Sequence, residues 1–418
     1  MLKHKKILLG VGGGIAVYRV AELARMLTKA GADVRCVLTR SACEFVTPMT
    51  FEALTGNQAH TELFDLTSER DNPAGQLDWT GDDRRTAGQG RIAEHQMGHI
   101  MLARWADAAI IAPATANLMA RIAHGIADDL LTTLMQVCEK PVLLAPAMNT
   151  SMWKSDATQR NLEILEQRGM KKVGPDEGKL ACGEQGAGKL AELHAIYAAL
   201  LPLITKPLLQ GQHWVINAGP TVEAWDSVRV LTNRASGRLG AILADHAAIL
   251  GAKVSLIAGP GTPETRPDIH RTDIESADQM QTACEQAACH ADIFIGTAAV
   301  SDFRFAHPQT EKLKRGDTSG MRVELTANPD MIARIATMHA RPEKVIAFAA
   351  ESSDHIAYAR EKMQKKHVDA IVANDISNMG SDRACGWWVT RHDEQIIGTN
   401  SKSEFAEQII KHIMEMNT

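Results

Sequence analysis

Asn149 closes Val142-Leu143-Leu144-Ala145-Pro146-Ala147-Met148-Asn149, an apolar strand that runs into a turn carrying one amide. In an open α/β sheet, ligands lie just beyond the carboxyl ends of strands, and an amide there both donates to and accepts from a carboxylate or carbonyl. Upstream, Ala109-Ile110-Ile111-Ala112-Pro113-Ala114-Thr115-Ala116-Asn117 repeats the design. His99, in Met97-Gly98-His99-Ile100, follows a long polar stretch and opens a helix, where an imidazole can serve as base or substrate contact. Cys182 sits among Gly178, Gly183, Gly186 and Gly188, on a loop able to fold over a site as catalytic lids do. Each has a plainer use alone: turn amide, helix cap, surface histidine, inert thiol. Cys36 and Cys138 fall in strand and helix patterns, where packing is the default role.

The second half carries a different set. Asp226-Ser227-Val228-Arg229 and Thr232-Asn233-Arg234-Ala235-Ser236-Gly237-Arg238 precede a helix and have the composition of an anion-binding loop, with Arg229 and Asn233 as contacts. Asp302 ends the strand-like Ile293-Phe294-Ile295-Gly296-Thr297-Ala298-Ala299-Val300-Ser301, placed to hold a ribose, a base amine or Mg2+. Glu311-Lys312-Leu313-Lys314-Arg315 puts cations on a short extended segment suited to a triphosphate, although such runs are more often solvated faces. Lys362 and Lys366 are four apart on a predicted helix and share a face. Three basic clusters in a chain of formal net charge -5 suggest a polyanionic substrate.

The elements that must position these residues read as two α/β units. Lys6–Gly10 is a strand, Val11-Gly12-Gly13-Gly14 a glycine turn, Ile15–Ala30 an amphipathic helix, and Asp33–Thr39 the next strand. The pattern returns at His213–Ala218, the Gly219-Pro220-Thr221 turn, a helix from about Gly240 to Gly251, and the strand Lys253–Ala258. This βαβ order places phosphate at a helix N-terminus. Neither copy is GxGxxG followed by an acidic ribose ligand, so nicotinamide hydride transfer lacks its fingerprint. The predicted fold is two Rossmann-like three-layer α/β domains: 1–190, a linker at 191–211 around Lys206-Pro207, and 212–418. Residues 67–96 lack periodicity and read as a long surface loop.

Composition narrows the classes. With 45% hydrophobic and 23% charged residues, the chain is globular, and its acidic balance gives no reason to propose nucleic acid or an anionic membrane as partner. Glycines break the apolar run after the basic N-terminus, which argues against a signal peptide, and no segment is long enough to span a bilayer. Seven scattered cysteines fit a reducing cytoplasm rather than a disulfide framework or structural zinc site.

Residues 5–190 resemble the flavin-dependent cysteine decarboxylases, specifically the phosphopantothenoylcysteine decarboxylase family. The marks are the glycine turn with Ile15-Ala16, Gly98-His99, Pro113-Ala114-Thr115-Ala116-Asn117, Pro146-Ala147-Met148-Asn149 and Ala181-Cys182-Gly183. The resemblance implies FMN bound by Gly12, Gly13, Gly14, Thr39, Pro113, Ala114, Thr115 and Asn117. It implies that Asn149 holds the substrate carboxylate, His99 assists decarboxylation, and Cys182 donates a proton in the reductive half. Oxidation of the substrate thiol to a thioaldehyde supplies the electron sink for loss of CO2, and the enethiolate is then reduced. Gly12 stands where a hydroxyl residue is usual, which leaves backbone N–H groups to hold the flavin phosphate. The 67–96 loop is longer than usual.

Residues 212–405 resemble phosphopantothenate–cysteine ligase through Ala218-Gly219-Pro220-Thr221, Asn233 with Ser236-Gly237, Ala298-Ala299-Val300-Ser301-Asp302, Lys312-Leu313-Lys314-Arg315, Asn328-Pro329-Asp330, Phe348-Ala349-Ala350-Glu351 and Ala373-Asn374-Asp375. Arg315 stands where a second lysine is common. The resemblance implies activation of 4'-phosphopantothenate by CTP as an acyl-cytidylate, from which the cysteine amine displaces CMP. It places Arg229, Asn233, Gly296, Thr297, Ala298, Asp302, Lys312, Pro329, Asp330, Met331, Ile332, Phe348, Lys362 and Lys366 around CTP or the acyl-cytidylate. It also implies Mg2+ carried mainly by the CTP phosphates, with any direct protein ligands left open. Coenzyme A biosynthesis is the implied pathway, with trimeric contacts of the first domain and dimeric contacts of the second, compatible with a dodecamer. Alternatives left open are a same-fold flavoprotein doing prenyl transfer or decarboxylating a cysteine-ended peptide, and a regulatory flavoprotein that binds another enzyme.

Overall fold

The structure, a computed structural model, describes residues 2–63, 99–179, 183–314, 322–351, 354–375 and 380–416. The predicted 67–96 loop, Cys182 and Arg315 lie outside the described residues. The chain forms two compact units, Met1–Thr205 and Lys206–Thr418.

In the first unit, β1 (Lys6–Val11), β2 (Asp33–Leu38), β3 (Ala59–His60), β4 (Ala108–Ala114), β5 (Val142–Pro146) and β6 (Lys171–Lys172) form one parallel sheet in the order β3-β2-β1-β4-β5-β6. Strands β4 and β5 are buried throughout, as parallel strands covered on both faces must be, which explains their unbroken apolar runs. The helix Val17–Lys29 turns Val17, Val20, Ala21, Leu23, Ala24 and Leu27 inward, and Gly31 (φ +91) reverses the chain after it. Full burial of each such leucine contributes about 2 kcal/mol. An antiparallel hairpin, β7 (Asp176–Lys179) and β8 (Gln185–Lys189), follows the sheet. The helix Leu193–Ile204 packs against helix Val17–Lys29, β4 and β5. Most of the stretch predicted as linker is therefore core of the first unit, because Leu193, Ile196, Leu200 and Leu201 bury their side chains there.

The second unit has an eight-stranded sheet. Its members are β9 (His213–Ala218), β12 (Lys253–Ala258), β13 (His270–Asp273), β14 (Ile293–Gly296), β17 (Lys344–Glu351), β18 (Ala370–Asp375), β19 (Arg383–Val389) and β20 (Glu394–Ser401). Their order is β13-β12-β9-β14-β17-β18-β19-β20. Pairing is parallel through β18 and antiparallel for the last two strands. Two short hairpins, β10 (Val222–Ala224) with β11 (Val230–Thr232) and β15 (Phe303–Phe305) with β16 (Leu325–Ala327), stand outside that sheet. Separate apolar clusters cover its two faces. Helices Arg238–Ile249 and Lys402–Glu415 cover one; Ala277–Ala288, Met331–Thr337 and His355–Lys366 cover the other. Both units are thus three-layer α/β folds. In each, the first strand lies where the strand order reverses, β1 beside β4 and β9 beside β14, and such a reversal opens a crevice at the strand ends.

Candidate functional site

The first crevice is a cavity of about 600 Å³. Gly13, Gly14, Thr39, Thr115, Asn117 and Asn149 line it. The glycine turn leads from β1 into helix Val17–Lys29, whose N-cap Ala16 makes no side-chain cap, so the positive end of the helix faces the cavity. A Cβ on Gly13 would lie 2.3 Å from Ser41 Cβ, and one on Gly12 would lie 2.2 Å from the Pro113 carbonyl oxygen. Gly12 thus packs beneath the end of β4 and, with Pro113 and Ala114, supports the cavity without lining it.

Thr39 lines the cavity, but its hydroxyl is engaged: it donates to the Val11 carbonyl at 3.2 Å and accepts from Ala42 N–H at 3.2 Å. It is a helix cap after β2 rather than the end of that strand. Thr115 likewise caps helix Ala116–Ala123, accepting from Leu118 N–H. Asn149 caps helix Thr150–Lys154: its Oδ1 accepts from Ser151 N–H at 2.7 Å. That bond assigns the amide orientation, and Nδ2 is left to donate to the Glu184 carboxylate at 2.7 Å. The amide at the β5 end therefore already holds a carboxylate.

His99 lies on a helix described from 99 to 105, half-buried, and its Nδ1 is buried with no partner among the described residues. It is absent from the described cavity wall. Lys179, Gly188 and Lys189, on the hairpin strands that flank the Cys182 connection, are on that wall. The wall also includes Tyr18, Arg19, Arg121, Met148 and Met152, which sequence reasoning passed over. Glu192 binds both Arg19 at 2.7 Å and Lys189 at 2.9 Å, and the Arg19 guanidinium foremost holds its carboxyl down to about 2.

The second crevice, of about 580 Å³, is lined by Asn233, Gly296, Thr297, Ala298, Asp302, Pro329, Asp330, Met331, Ile332, Phe348 and Lys366. Asp330 caps helix Met331–Thr337 through Ala333 N–H and pairs with Lys366 at 2.9 Å. Asn233 donates to the carbonyls of Ala299 and Val300, tying the 233–238 loop to the segment that follows β14. Asn217 escaped sequence reasoning. Fully buried at the end of β9, it accepts from the N–H groups of Thr297 (2.8 Å) and Ala298 (3.0 Å) and so shapes the cavity floor. The signal was present: Trp214-Val215-Ile216-Asn217 is an apolar strand ending in an amide, the same pattern that marked Asn149.

Arg229 departs from its expected place. It is off the cavity wall, ion-paired with buried Asp226, bonded to the Leu313 carbonyl at 2.9 Å, and stacked over Trp225 at 4.2 Å. Asp226 also accepts from Leu313 N–H at 3.1 Å. Its carboxyl is held far below the usual range, chiefly by the Arg229 bond. Trp225 accepts from Gln309 N–H and stacks on Phe305. These links anchor the 303–314 segment that carries Lys312 and Lys314. Lys312 is exposed, and neither it nor Lys362 is on the wall.

Two family models cover the chain: Flavoprotein over residues 1–205, and the C-terminal domain of DNA/pantothenate metabolism flavoprotein over residues 209–416. A coenzyme A biosynthesis bifunctional protein CoaBC from Vibrio vulnificus is 40% identical, over 99% of this chain and 98% of the relative. The protein of that name from Bacillus subtilis is 38% identical, over 91% and 88%. Among solved structures, the FMN-dependent cysteine decarboxylase SpaF is 30% identical over 48% of this chain and 99% of its own, with a TM-score of 0.35.

Proposed function

We propose a division of labour for this chain, which belongs to the family of coenzyme A biosynthesis bifunctional proteins, CoaBC. The second unit joins cysteine to 4'-phosphopantothenate at the expense of CTP, and the first removes CO2 from the 4'-phosphopantothenoylcysteine formed. The product is 4'-phosphopantetheine, and the setting is the cytoplasm.

The first cavity fits FMN. Ile15, Leu118, Met148 and Met152 offer an apolar wall for a flat ring, and the uncapped start of helix Val17–Lys29 suits a phosphate. Bound FMN supplies the two-electron oxidation of the substrate thiol and returns the electrons after CO2 has left. The chain's own residues hold and protonate. Asn149 donates Nδ2 to the substrate carboxylate, as it does to Glu184. His99 assists the decarboxylation, and Cys182 delivers a proton to the carbon that lost CO2. Ile15, Tyr18 and Met152 are on the wall yet 58%, 66% and 49% exposed, which supports a site completed by another copy, trimeric in the first unit. Dimeric contacts through the second unit complete the assembly.

In the second unit, Gly296–Ala298, Asp302, Pro329–Ile332, Phe348 and Lys366 form the CTP site, and Asn233 meets the acyl-cytidylate. Lys312 approaches from the segment that Asp226 and Arg229 anchor, and Lys362 from the helix that carries Lys366. Arg229 acts through that anchoring. Mg2+ enters with CTP and, with the lysines, offsets the triphosphate charge while the carboxylate attacks the α-phosphorus and pyrophosphate leaves.

The oriented Asn149 amide carries the decarboxylase assignment. Asn149→Asp keeps an oxygen to cap Ser151 N–H but loses the donor and adds a like charge. It should bind FMN and slow CO2 release by about 100-fold or more. Unchanged CO2 release from that variant would reject the role.

A further inference from the structure

One end of the second unit's cavity carries positive charge that none of the roles above employs. Helix Arg238–Ile249 starts at this wall from Gly237 (φ +64), and no side chain caps its first N–H groups. Uncapped N–H groups leave roughly half a positive charge at a helix N-terminus. Lys402 enters the same wall from the first position of helix Lys402–Glu415. That residue is only 8% exposed, and its ammonium has no hydrogen bond or ion pair among the described residues. The charges acting on it are Arg238 and Asp382, and the Asp382 carboxylate is bound to the Arg238 guanidinium. Burial first, then Arg238, pulls the Lys402 ammonium below its ordinary value, with Asp382 opposing. A lysine in the first turn also opposes the dipole of its own helix. The first turn of helix Lys402–Glu415 is already served, Ser401 and Glu404 forming a capping box and Lys402 N–H donating to the Asp382 carbonyl. That leaves the Lys402 ammonium beside the uncapped helix Arg238–Ile249. A largely buried lysine without a protein partner is costly unless an anion joins it.

We propose that Lys402 binds a phosphate group in this cavity, beside the uncapped N-terminus of helix Arg238–Ile249. A phosphate accepts hydrogen bonds from an ammonium and backbone N–H groups together. The inference deepens the ligase assignment and rests on it for the ligand's source: the triphosphate of CTP or the 4'-phosphate of phosphopantothenate.

Lys402→Met in the full chain removes the charge and keeps the apolar stem. Without ligand, the Tm of its second unit should equal or exceed that of the wild type, because an unpaired buried charge is gone. Inorganic pyrophosphate should raise that Tm less than it raises the wild type's. The KM of one phosphorylated substrate should rise about tenfold or more, and Lys402→Arg should restore most of it. A loss seen with 4'-phosphopantothenate but not with pantothenate identifies the 4'-phosphate as the anion. A rise in KM for CTP, with weaker pyrophosphate inhibition, identifies the triphosphate. A wild-type chain that releases no CMP defeats the ligase assignment, while the pyrophosphate shift still judges Lys402. A Lys402→Met protein that is less stable without ligand, or unchanged in both KM values and in the pyrophosphate shift, would overturn the proposal.

Discussion

Strands β1 and β9 hold equivalent places in their sheets, each at the reversal of strand order, and each opens on a cavity of similar size, about 600 and 580 Å³. Their walls differ. The first combines methionines, Ile15 and Leu118 with an amide that grips a carboxylate. The second is built from Arg234 and Arg238, the helix-capping carboxylate of Asp330, the amide of Asn233 and lysines on helices. The reversal of strand order explains where each site lies, and the chemistry of the wall decides what each can do. The anchoring differs as well. In the first unit the Asn149 amide is itself a helix cap, whereas in the second the Lys312 segment hangs from the Trp225–Asp226–Arg229 cluster.

This contrast predicts separable losses. Lys312→Gln should slow CMP release by about 1,000-fold through loss of charge stabilisation, with CO2 release from supplied 4'-phosphopantothenoylcysteine unchanged. A parallel fall in both activities would end the separation. Asp226→Asn should weaken the Arg229 pair and the hold on Leu313, lowering kcat/KM of the ligase about tenfold. Because Arg229 acts through the same anchor, adding Arg229→Ala should cost little more; fully additive losses would instead restore Arg229 to direct substrate contact.

The smallest effect is on acid stability. Burial pulls His246, on helix Arg238–Ile249, from 6.5 down to about 4, so between those pH values the unfolded chain binds more protons than the folded one. The second unit should lose on the order of 3 kcal/mol as pH falls across that window. In the first unit, Glu192 titrates from 4.5 down to about 2, and its contribution is lost only below pH 4.5. Thermal melts from pH 7 to 4 should show the second unit's transition falling first, and His246→Gln should flatten that fall. The reverse order would contradict the assignment.

Much of the architecture was legible in the chain. Unbroken apolar runs such as Ala109–Ala112 and Val142–Ala145 announce parallel strands, and glycine turns after β1 mark the first crevice. The amides at strand ends marked the cavities because an apolar sheet leaves few other places for an unhydrated amide. What stayed hidden depended on partners distant in sequence. Arg229 looks like an anion ligand until Leu313 and Asp226 claim it, and Lys402 looks like a solvated helix residue until burial is known. Leu200–Leu203 reads as the end of a helix before a connector, but nothing local shows that this helix covers β4 and β5 and so belongs to the first unit. The plain role of Asn149 is compatible with the one proposed for it: the bond from Ser151 N–H orients an amide that stands on the cavity wall.

The account's central claim is that one chain carries both activities in separate cavities. The most direct test combines the visible spectrum of the purified protein with product analysis after addition of CTP, 4'-phosphopantothenate and cysteine. A flavin spectrum with CMP and CO2 released in step, ending in 4'-phosphopantetheine, is the predicted result. A colourless protein that releases neither CMP nor CO2 would contradict it.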